Sequence, residues 1–420
     1  MYHHITSNAS NFLDKYSSLN WIQLIFITSS YLVLQSVYRR LVDIFHRFRS
    51  FWYDDLLKDY TNSEADKLND GPYPNGWIPV TESQQLASGA VIKVHALGRD
   101  IVLVRDSNGK VHAMDPYCPH NGAHLGSGEI VEIRGEECLR CPFHEWSFRV
   151  EDGVCIDVPY SKDRKPPKGS SLKLWHCVER NSFIYIWFHN RERAPTWFPE
   201  KIEEIESKKM VYYDRLECII NTDLHLIAEN TSDYAHFVSV HNKPSPLGDK
   251  IAQIFGLKGG LLEHVCDKFQ WNPLEKPNIH QAVTLYEPHY KFFGKKIANA
   301  SVFTLQSGPC IYTFRLRAQF FDFTIRRILV VGITPVHANK QRLVVRMYTE
   351  GNILTRMLDR LLLLGSFNNF HGDCEIWQYI QRLDKPLYLR EEKTMVGLRR
   401  WFMQFYDGVN SCILKDSEDW

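Results

Sequence analysis

Short apolar stretches of strand length, some alternating with polar residues and some continuous, begin soon after Gly76. A period of two is the pattern of a half-buried β-strand. The turn residues Asp106-Ser-Asn-Gly109 separate two of these stretches, as in a hairpin. The predicted strands are 90–96, 101–104, 110–114 and 183–188. The pattern therefore predicts an all-β module at 77–190, bounded by the charged, proline-containing segment 191–200.

Longer strand patterns and several helical patterns follow in residues 191–420, which predicts an α+β domain of about 220 residues. The predicted strands lie near 211–220, 281–287, 301–306, 309–318, 327–335 and 342–349. The predicted helices lie near 222–240, 351–364, 372–383 and 390–413.

The N-terminal region contains an uncharged stretch from Trp21 to Tyr38, close to the roughly 20 residues that a membrane-spanning helix needs. We expect a terminal segment at 1–18, a transmembrane helix at 19–40 and a connector at 41–76. Cleavage as a signal peptide and burial as an interfacial helix are the alternatives.

The charges around this stretch predict its orientation. Only Lys15 precedes the stretch among nearby basic residues, whereas four arginines follow it: Arg39, Arg40, Arg47 and Arg49. Because basic residues stay on the cytosolic side, we expect a single-pass membrane protein in the endoplasmic reticulum, with the domains after residue 40 in the cytosol.

Composition narrows the functional class. The 420 residues carry 50 Lys+Arg against 49 Asp+Glu, so no basic excess favours nucleic-acid binding. A hydrophobic content of 44% argues against disorder. Ten cysteines are too few for a disulfide scaffold of this length. The remaining classes include enzymes with a large core or cavity.

Two short motifs in the β module carry metal-ligand residues. Cys118-Pro-His120 is followed, after a spacer, by Cys141-Pro-Phe-His144. A structural Cys2His2 zinc site is the simpler interpretation, but a zinc finger places its cysteines together and its histidines together. Here each motif supplies one Cys and one His, which suits a two-iron cluster with unlike ligands on its irons.

These motifs resemble the Rieske [2Fe–2S] signature, in which two histidines replace two cysteines on one iron. The resemblance implies that Cys118 and Cys141 bind one iron, and His120 and His144 the other. We interpret His124, which lies inside the first motif, as structural. The other eight cysteines are expected to be buried thiols.

A second constellation lies in the predicted helix at 222–240. Glu229, Asp233 and His236 stand at i, i+4 and i+7 on one helical face, and His241 follows. A polar surface with two incidental histidines is the alternative, because short motifs produce many false matches.

This second segment resembles the E/D-x3-D-x2-H-x4-H motif of Rieske-type non-haem iron oxygenases. The resemblance implies that His236 and His241 bind a mononuclear Fe(II) with a distal carboxylate, as a facial triad. Asp373 is the candidate, because His371–Trp377 resembles the family's D-x-x-I-W segment; Glu375 is the rival. The fold implied is a helix-grip-like catalytic domain.

The resemblance also implies roles for the two acidic residues of the motif. Asp233 would link the mononuclear iron to the Rieske cluster of a neighbouring subunit, and Glu229 would support this arrangement. Electron transfer between subunits implies a homotrimer.

Together with the N-terminal stretch, these motifs resemble the Neverland-type cholesterol 7-desaturases. The resemblance implies conversion of cholesterol to 7-dehydrocholesterol by O2, in steroid hormone synthesis. Electrons would come from NAD(P)H through a separate reductase, because we find no convincing G-x-G-x-x-G after a strand. Apolar strand residues around 281–335 would line the sterol cavity, although core packing would explain them equally well.

Two other functions compete with desaturation. A Rieske monooxygenase similar to the 3-ketosteroid 9-hydroxylases would hydroxylate another steroid or hydrophobic ring. A lipid-binding protein or electron carrier would have no oxygenase activity, but neither would require His236, His241 and Asp373.

Overall fold

The computed structural model describes residues 71–241, 262–292, 295–320, 323–350, 370, 372–380, 383 and 386–406. The predicted segments 1–18 and 19–40 and most of the connector lie outside these residues. Within the described ranges, no helix is both long and apolar enough to cross a bilayer.

Eleven strands form three antiparallel sheets in the N-terminal half of the described chain. They are β1 (Gly76–Glu82), β2 (Val91–Ala96), β3 (Arg99–Arg105), β4 (Val111–Met114), β5 (Glu129–Ile133), β6 (Glu136–Arg140), β7 (Ser147–Arg149), β8 (Cys155–Asp157), β9 (Leu174–Trp175), β10 (Cys177–Arg180) and β11 (Phe183–Phe188). The sheet orders are β1-β11-β10, β2-β3-β4-β9 and β5-β6-β7-β8. Short 3-10 helices occupy Ser83–Gln85 and Leu125–Ser127. The predicted all-β character is confirmed.

The β2 and β5 sheets share one hydrophobic core. Val104 and Met114 of the first sheet meet Leu139 and Phe148 of the second there. Cys118 and Cys141 belong to the same core, and each is at most 3% exposed. The packing of the two sheets therefore brings the two metal-ligand motifs together.

The described residues beyond 191 form one long antiparallel sheet with a few helices. Its strands are β12 (Met210–Ile220), β13 (Leu262–Pro273), β14 (Gln281–Phe292), β15 (Lys295–Ser307), β16 (Ile311–Phe320), β17 (Phe323–His337) and β18 (Lys340–Glu350), in the order β12-β18-β17-β16-β15-β14-β13. The helices are α1 (Glu203–Glu206), α2 (Leu224–Glu229), α3 (Tyr234–Ser239) and α4 (Lys393–Phe402), with helical turns at 372–377 and 3-10 helices at Arg390–Glu392 and Met403–Phe405. All six strands predicted for this region are confirmed.

The single helix predicted at 222–240 is wrong, because the chain breaks between α2 and α3. The Thr231 and Ser232 hydroxyls donate to the last carbonyls of α2, at Ala228 and Glu229. The Asp233 carboxylate then accepts the His236 N–H at 3.0 Å and caps α3. Hydroxyl and carboxylate side chains compete for backbone groups and favour helix ends over helix interiors.

The predicted helices near the C-terminus are partly confirmed within the described residues. The 372–383 segment is helical at 372–377, and in the described part of the 390–413 segment, residues 390–406, α4 is the α-helix. The segment predicted at 351–364 lies outside the described residues.

The β1 sheet packs against the long sheet and joins the two halves of the chain. Tyr185 of β11 and Val330 of β17 belong to one buried cluster. A Cβ on Gly332 would lie 3.0 Å from the Pro79 side chain, so glycine allows the close approach of the two sheets. The fully buried Glu82 forms ion pairs with Arg346 and Arg215 of the long sheet. A continuous core therefore connects the two predicted domains.

Candidate metal centres

The two Cys-His motifs of the β module form loops with the same backbone geometry. The Cys118 N–H donates to Ala123 O at 2.9 Å, and the Cys141 N–H donates to Trp146 O at 2.8 Å. Each cysteine carbonyl also accepts an N–H from the residue four positions later. That residue is Gly122 in one loop and Glu145 in the other, and both have positive φ. Two equivalent loops therefore present one Cys and one His each.

The histidines of the two loops face each other beside the buried cysteines. The rings of His120 and His144 lie 4.7 Å apart, and both side chains are half-buried. His120 stacks on Trp146 at 4.8 Å, with the rings nearly parallel. Trp146 in turn donates a hydrogen bond to the Tyr160 hydroxyl at 2.9 Å. These contacts orient the His120 ring towards the second loop.

The donor chemistry fits a two-iron cluster. Burial, with Cys141 nearby, raises the pKa of Cys118 to about 11 without metal, so a cation is needed to hold its thiolate. Within the described residues, three or more metal-binding side chains bring their ligand atoms within 4.8 Å of one another at one place. That place is His236, His241 and Asp373, which are not part of the two Cys-His motifs. The four Rieske-type donors thus do not converge on a single point, as a zinc tetrahedron would require.

His124 occupies a structural position. Its Nδ1 accepts the Gly126 N–H at 3.0 Å, and its Nε2 lies 3.3 Å from Asp100. The cysteines outside the motifs that the structure describes are free thiols, several of them buried. Cys218 and Cys374 approach each other at 3.9 Å, well beyond a disulfide bond length. Cys412 lies outside the described residues.

The second constellation closes into a compact triangle of donor atoms. His236 Nε2, His241 Nε2 and Asp373 Oδ1 are separated by 3.0 Å along each edge. Ligands at right angles on one metal, each bound at about 2.1 Å, are separated by about 3.0 Å. The triangle therefore matches one face of an octahedral ion, and the residues fit a mononuclear iron.

The structure separates the two carboxylates proposed for this site. Asp373 is 7% exposed and faces both histidines, whereas Glu375 is exposed at the surface. Burial alone would raise the pKa of Asp373. Contacts with His236 and His241 outweigh it and hold the pKa below its ordinary value. Asp373 is thus an anionic donor, as a site for a divalent cation needs.

The positions of Glu229 and Asp233 differ from those predicted with a single helix. Asp233 is half-buried at the start of α3, and its carboxylate is bound to the His236 backbone. Glu229 is 7% exposed at the end of α2 and pairs with Arg399 of α4 at 2.5 Å. Because a helix break intervenes, Glu229 and Asp233 do not continue one stripe with His236.

Asn230 is a site residue that the sequence analysis missed. Its Nδ2 lies 3.4 Å from His236 Nε2, and its Oδ1 accepts a hydrogen bond from Trp377 Nε1 at 3.3 Å. Both residues flank the donor triangle. In the sequence, the only sign of their role is that they lie next to predicted site residues. Asn230 follows Glu229, and Trp377 ends the segment that contains Asp373.

A cavity of about 260 Å³ opens from the donor triangle across the long sheet. A single water needs about 10–15 Å³ in the same measure, so the space is large enough for an organic ligand. Alternate residues of six strands form one wall, as in Phe314 and Leu316 of β16. The predicted 281–335 lining is present, and β12 and β18 extend it with Leu216, Leu343, Val345 and Met347.

Two family profiles match nearly all of the described chain. The Rieske [2Fe-2S] domain matches residues 76–174. The 3-ketosteroid 9alpha-hydroxylase C-terminal domain matches residues 186–406, more than half of the full sequence.

Comparisons with individual proteins, which cover about four-fifths of this chain, point to one group within these families. Cholesterol 7-desaturase nvd of Drosophila melanogaster is 34% identical over 351 residues, which cover 82% of this chain and 78% of the relative. The oxygenase component of the 3-ketosteroid-9-alpha-monooxygenase of Mycolicibacterium smegmatis is 27% identical, over 80% of this chain and 83% of the relative. Dicamba monooxygenase, in a crystal structure with dicamba, shares the fold at 16% identity, with a TM-score of 0.59 over 80% of this chain and 98% of that one. The chain belongs to the cholesterol 7-desaturase family of Rieske-type oxygenases.

Proposed function

We propose that this protein is a sterol 7-desaturase that converts cholesterol to 7-dehydrocholesterol. The reaction consumes cholesterol, O2, two electrons and two protons, and yields the diene and two waters. The observation that carries the proposal is the His236–His241–Asp373 triangle at the end of a mostly apolar cavity. The similarity to the Drosophila melanogaster cholesterol 7-desaturase supports it.

The metal groups supply the redox chemistry when bound: the [2Fe–2S] cluster delivers single electrons, and the mononuclear iron uses them with O2 to oxidise the substrate. The protein residues hold and orient the reactants. The mononuclear iron would be held from one side by His236, His241 and Asp373. The side of the iron towards the cavity would stay open for O2 and substrate. The apolar sheet wall excludes water and positions the C7–C8 bond of the sterol. Electrons reach the chain from NAD(P)H through a separate reductase.

Product analysis tests the proposal. Full-length protein, a reductase, NAD(P)H and O2 are incubated with cholesterol, and the sterols are separated and identified. We expect a conjugated diene that absorbs in the ultraviolet. A hydroxylated sterol without the diene would instead support the second candidate, a steroid hydroxylase, which the match to the 3-ketosteroid 9alpha-hydroxylase C-terminal domain favours.

We propose further that three copies of the chain assemble into a ring. Around the cluster loops, Tyr117, Phe143 and Tyr160 are 55–62% exposed. On the segments that carry the donor triangle, Tyr234 of α3 and Tyr379 after the 372–377 turns are 47% and 83% exposed. Two different apolar patches on one chain suit a head-to-tail contact, which closes into a ring when the rotation allows it.

The mass of the assembly in solution tests the ring. The molar mass measured by light scattering should equal that of three chains for the wild-type protein and should be lower for Phe143→Asp. Val211→Asp changes an apolar residue of β12 that is 38% exposed and should leave the mass unchanged. A wild-type monomer would contradict the ring.

We also propose that residues 19–40 anchor the protein in the endoplasmic reticulum membrane, with the catalytic domains in the cytosol. The uncharged stretch Trp21–Tyr38 and the arginines after it support this placement. The protein should sediment with membranes after alkaline carbonate extraction, and deletion of residues 1–40 should release it. Full extraction of the intact chain by carbonate would refute the anchor.

A further inference from the structure

Thr304 presents a buried hydroxyl to the cavity. The residue lies in β15, is 4% exposed and forms part of the cavity wall. No hydrogen bond joins its hydroxyl to any part of the chain that the structure describes. The hydroxyl oxygen is not fully enclosed by protein atoms, so it is open to the cavity.

The neighbouring polar side chains of the wall already have partners. Thr284 donates to the Thr231 carbonyl at 2.8 Å. The Tyr312 hydroxyl accepts from Gln306 at 3.0 Å, and Asn230 is bound to Trp377. Tyr286 and Tyr290 also have interactions within the protein. Unlike these side chains, Thr304 has a hydroxyl that is available to a ligand.

The apolar surroundings make this hydroxyl selective. A hydrophobic ligand that fills the cavity expels the water that would otherwise bind Thr304. A ligand without a polar group at this place leaves the hydroxyl unpaired, which disfavours binding. A ligand with a hydroxyl there restores the hydrogen bond.

The position of Thr304 relative to the donor triangle suits a sterol. Thr304 is the direct cross-strand partner of Thr284, which is bound to the segment just before α3. The hydroxyl thus lies one strand away from the chain that carries His236. In cholesterol the hydroxyl is on the A ring and the C7–C8 bond is in the adjoining B ring, so a similarly short separation is required.

We propose that Thr304 is a specificity-determining residue that hydrogen-bonds the 3-hydroxyl group of the sterol. This inference rests on the proposed function and adds the group by which the substrate is oriented. The bond fixes the A-ring end of the sterol, and the apolar wall then holds the B ring towards His236, His241 and Asp373.

Equilibrium binding with the full chain tests the inference. Dissociation constants are measured for radiolabelled cholesterol and for cholest-5-ene, in which hydrogen replaces the hydroxyl. The wild-type protein should bind cholesterol about tenfold more tightly. Thr304→Val should lose the preference for cholesterol, whereas Thr304→Ser should retain it. Thr304→Ala replaces the valine variant if the latter fails to fold.

Thr313→Val is the matched control. Thr313 is also 4% exposed and lies in the next strand, but its neighbours Tyr312 and Phe314 line the cavity, so its side chain is on the opposite face. This variant should keep the tenfold preference. Equal binding of both sterols by the wild type, or an unchanged preference in Thr304→Val, would overturn the inference. Failure of the wild type to form the diene, with the Thr304 effect intact, would refute the desaturase and leave the hydroxyl contact standing.

Discussion

At the residue scale, the identity of the third iron ligand depends on which acidic side chain faces the histidines. The motif placed Asp373 and Glu375 two residues apart, and both could reach a metal from a short helical segment. The structure buries Asp373 against His236 and His241 and leaves Glu375 exposed.

Iron content should separate these two carboxylates. We expect about three irons per chain in the wild type, two in the cluster and one mononuclear. Asp373→Ala should lower the content to about two, because a third of the ligand set is lost. Glu375→Gln should retain three, and a loss of iron in that variant would show that the ligand assignment is incorrect.

The cluster histidines allow an equivalent test. His144→Ala should abolish the visible absorption of the [2Fe–2S] cluster while the mononuclear iron remains, because the two sites use separate residues. His124→Gln is the control, since His124 lies within the motif but is bound to Gly126 and Asp100. Loss of the cluster in the control alone would invalidate the assignment.

Local spacing predicts the four Rieske donors, and the structure places them on two equivalent loops, because each motif folds within its own loop. It was not sufficient for Asn230 and Trp377, whose hydrogen bond joins residues 147 positions apart. Only tertiary packing brings those two side chains together beside His236.

At the element scale, the break between α2 and α3 determines where the acidic residues lie. Helical periodicity alone predicts that Glu229, Asp233 and His236 lie on one face of a single helix. The polar run Asn230-Thr-Ser-Asp233 ends one helix and starts another, because its side chains bond to the backbone. Asp233 consequently has a structural role in addition to the electron-transfer role that the family resemblance implies.

Two substitutions should separate these roles of Asp233. Asn is as good a helix cap as Asp, so Asp233→Asn should keep the stability and iron content of the wild type. Its loss of charge should slow electron transfer to the mononuclear iron. Asp233→Ala should also lose about 1 kcal/mol of stability. Stopped-flow oxidation of the cluster and thermal unfolding measure the two effects. Wild-type electron transfer in Asp233→Asn would exclude the linking role.

The Glu229–Arg399 ion pair ties α2 to α4. Arg399→Met would remove the arginine that pairs with the buried Glu229 charge and should destabilise the protein by about 3 kcal/mol. Lys393→Met, at an exposed position of the same helix, should change stability by less than about 0.5 kcal/mol. Chemical denaturation measures both. Similar effects in the two variants would indicate that the pair contributes little.

At the scale of the whole molecule, the strand alternation predicted the sheets but not the cavity. An apolar residue in a strand is equally consistent with core packing and with a ligand wall. The order β12-β18-β17-β16-β15-β14-β13 decides between them, because it aligns Leu216, Val345 and Phe314 on one face that opens towards Asp373. The strand β13 was missed, since charged and polar residues interrupt its apolar pattern.

The most direct test of the central claim is a single turnover of the reduced protein. The full chain, with its cluster and mononuclear iron both reduced, holds two electrons, the number that desaturation requires. It is mixed with cholesterol and then with O2, in the absence of reductase. We predict up to one 7-dehydrocholesterol per chain, with oxidation of both centres, and no diene from Asp373→Ala. Oxidation of both centres with a hydroxylated sterol as product, or with cholesterol unchanged, would contradict the account.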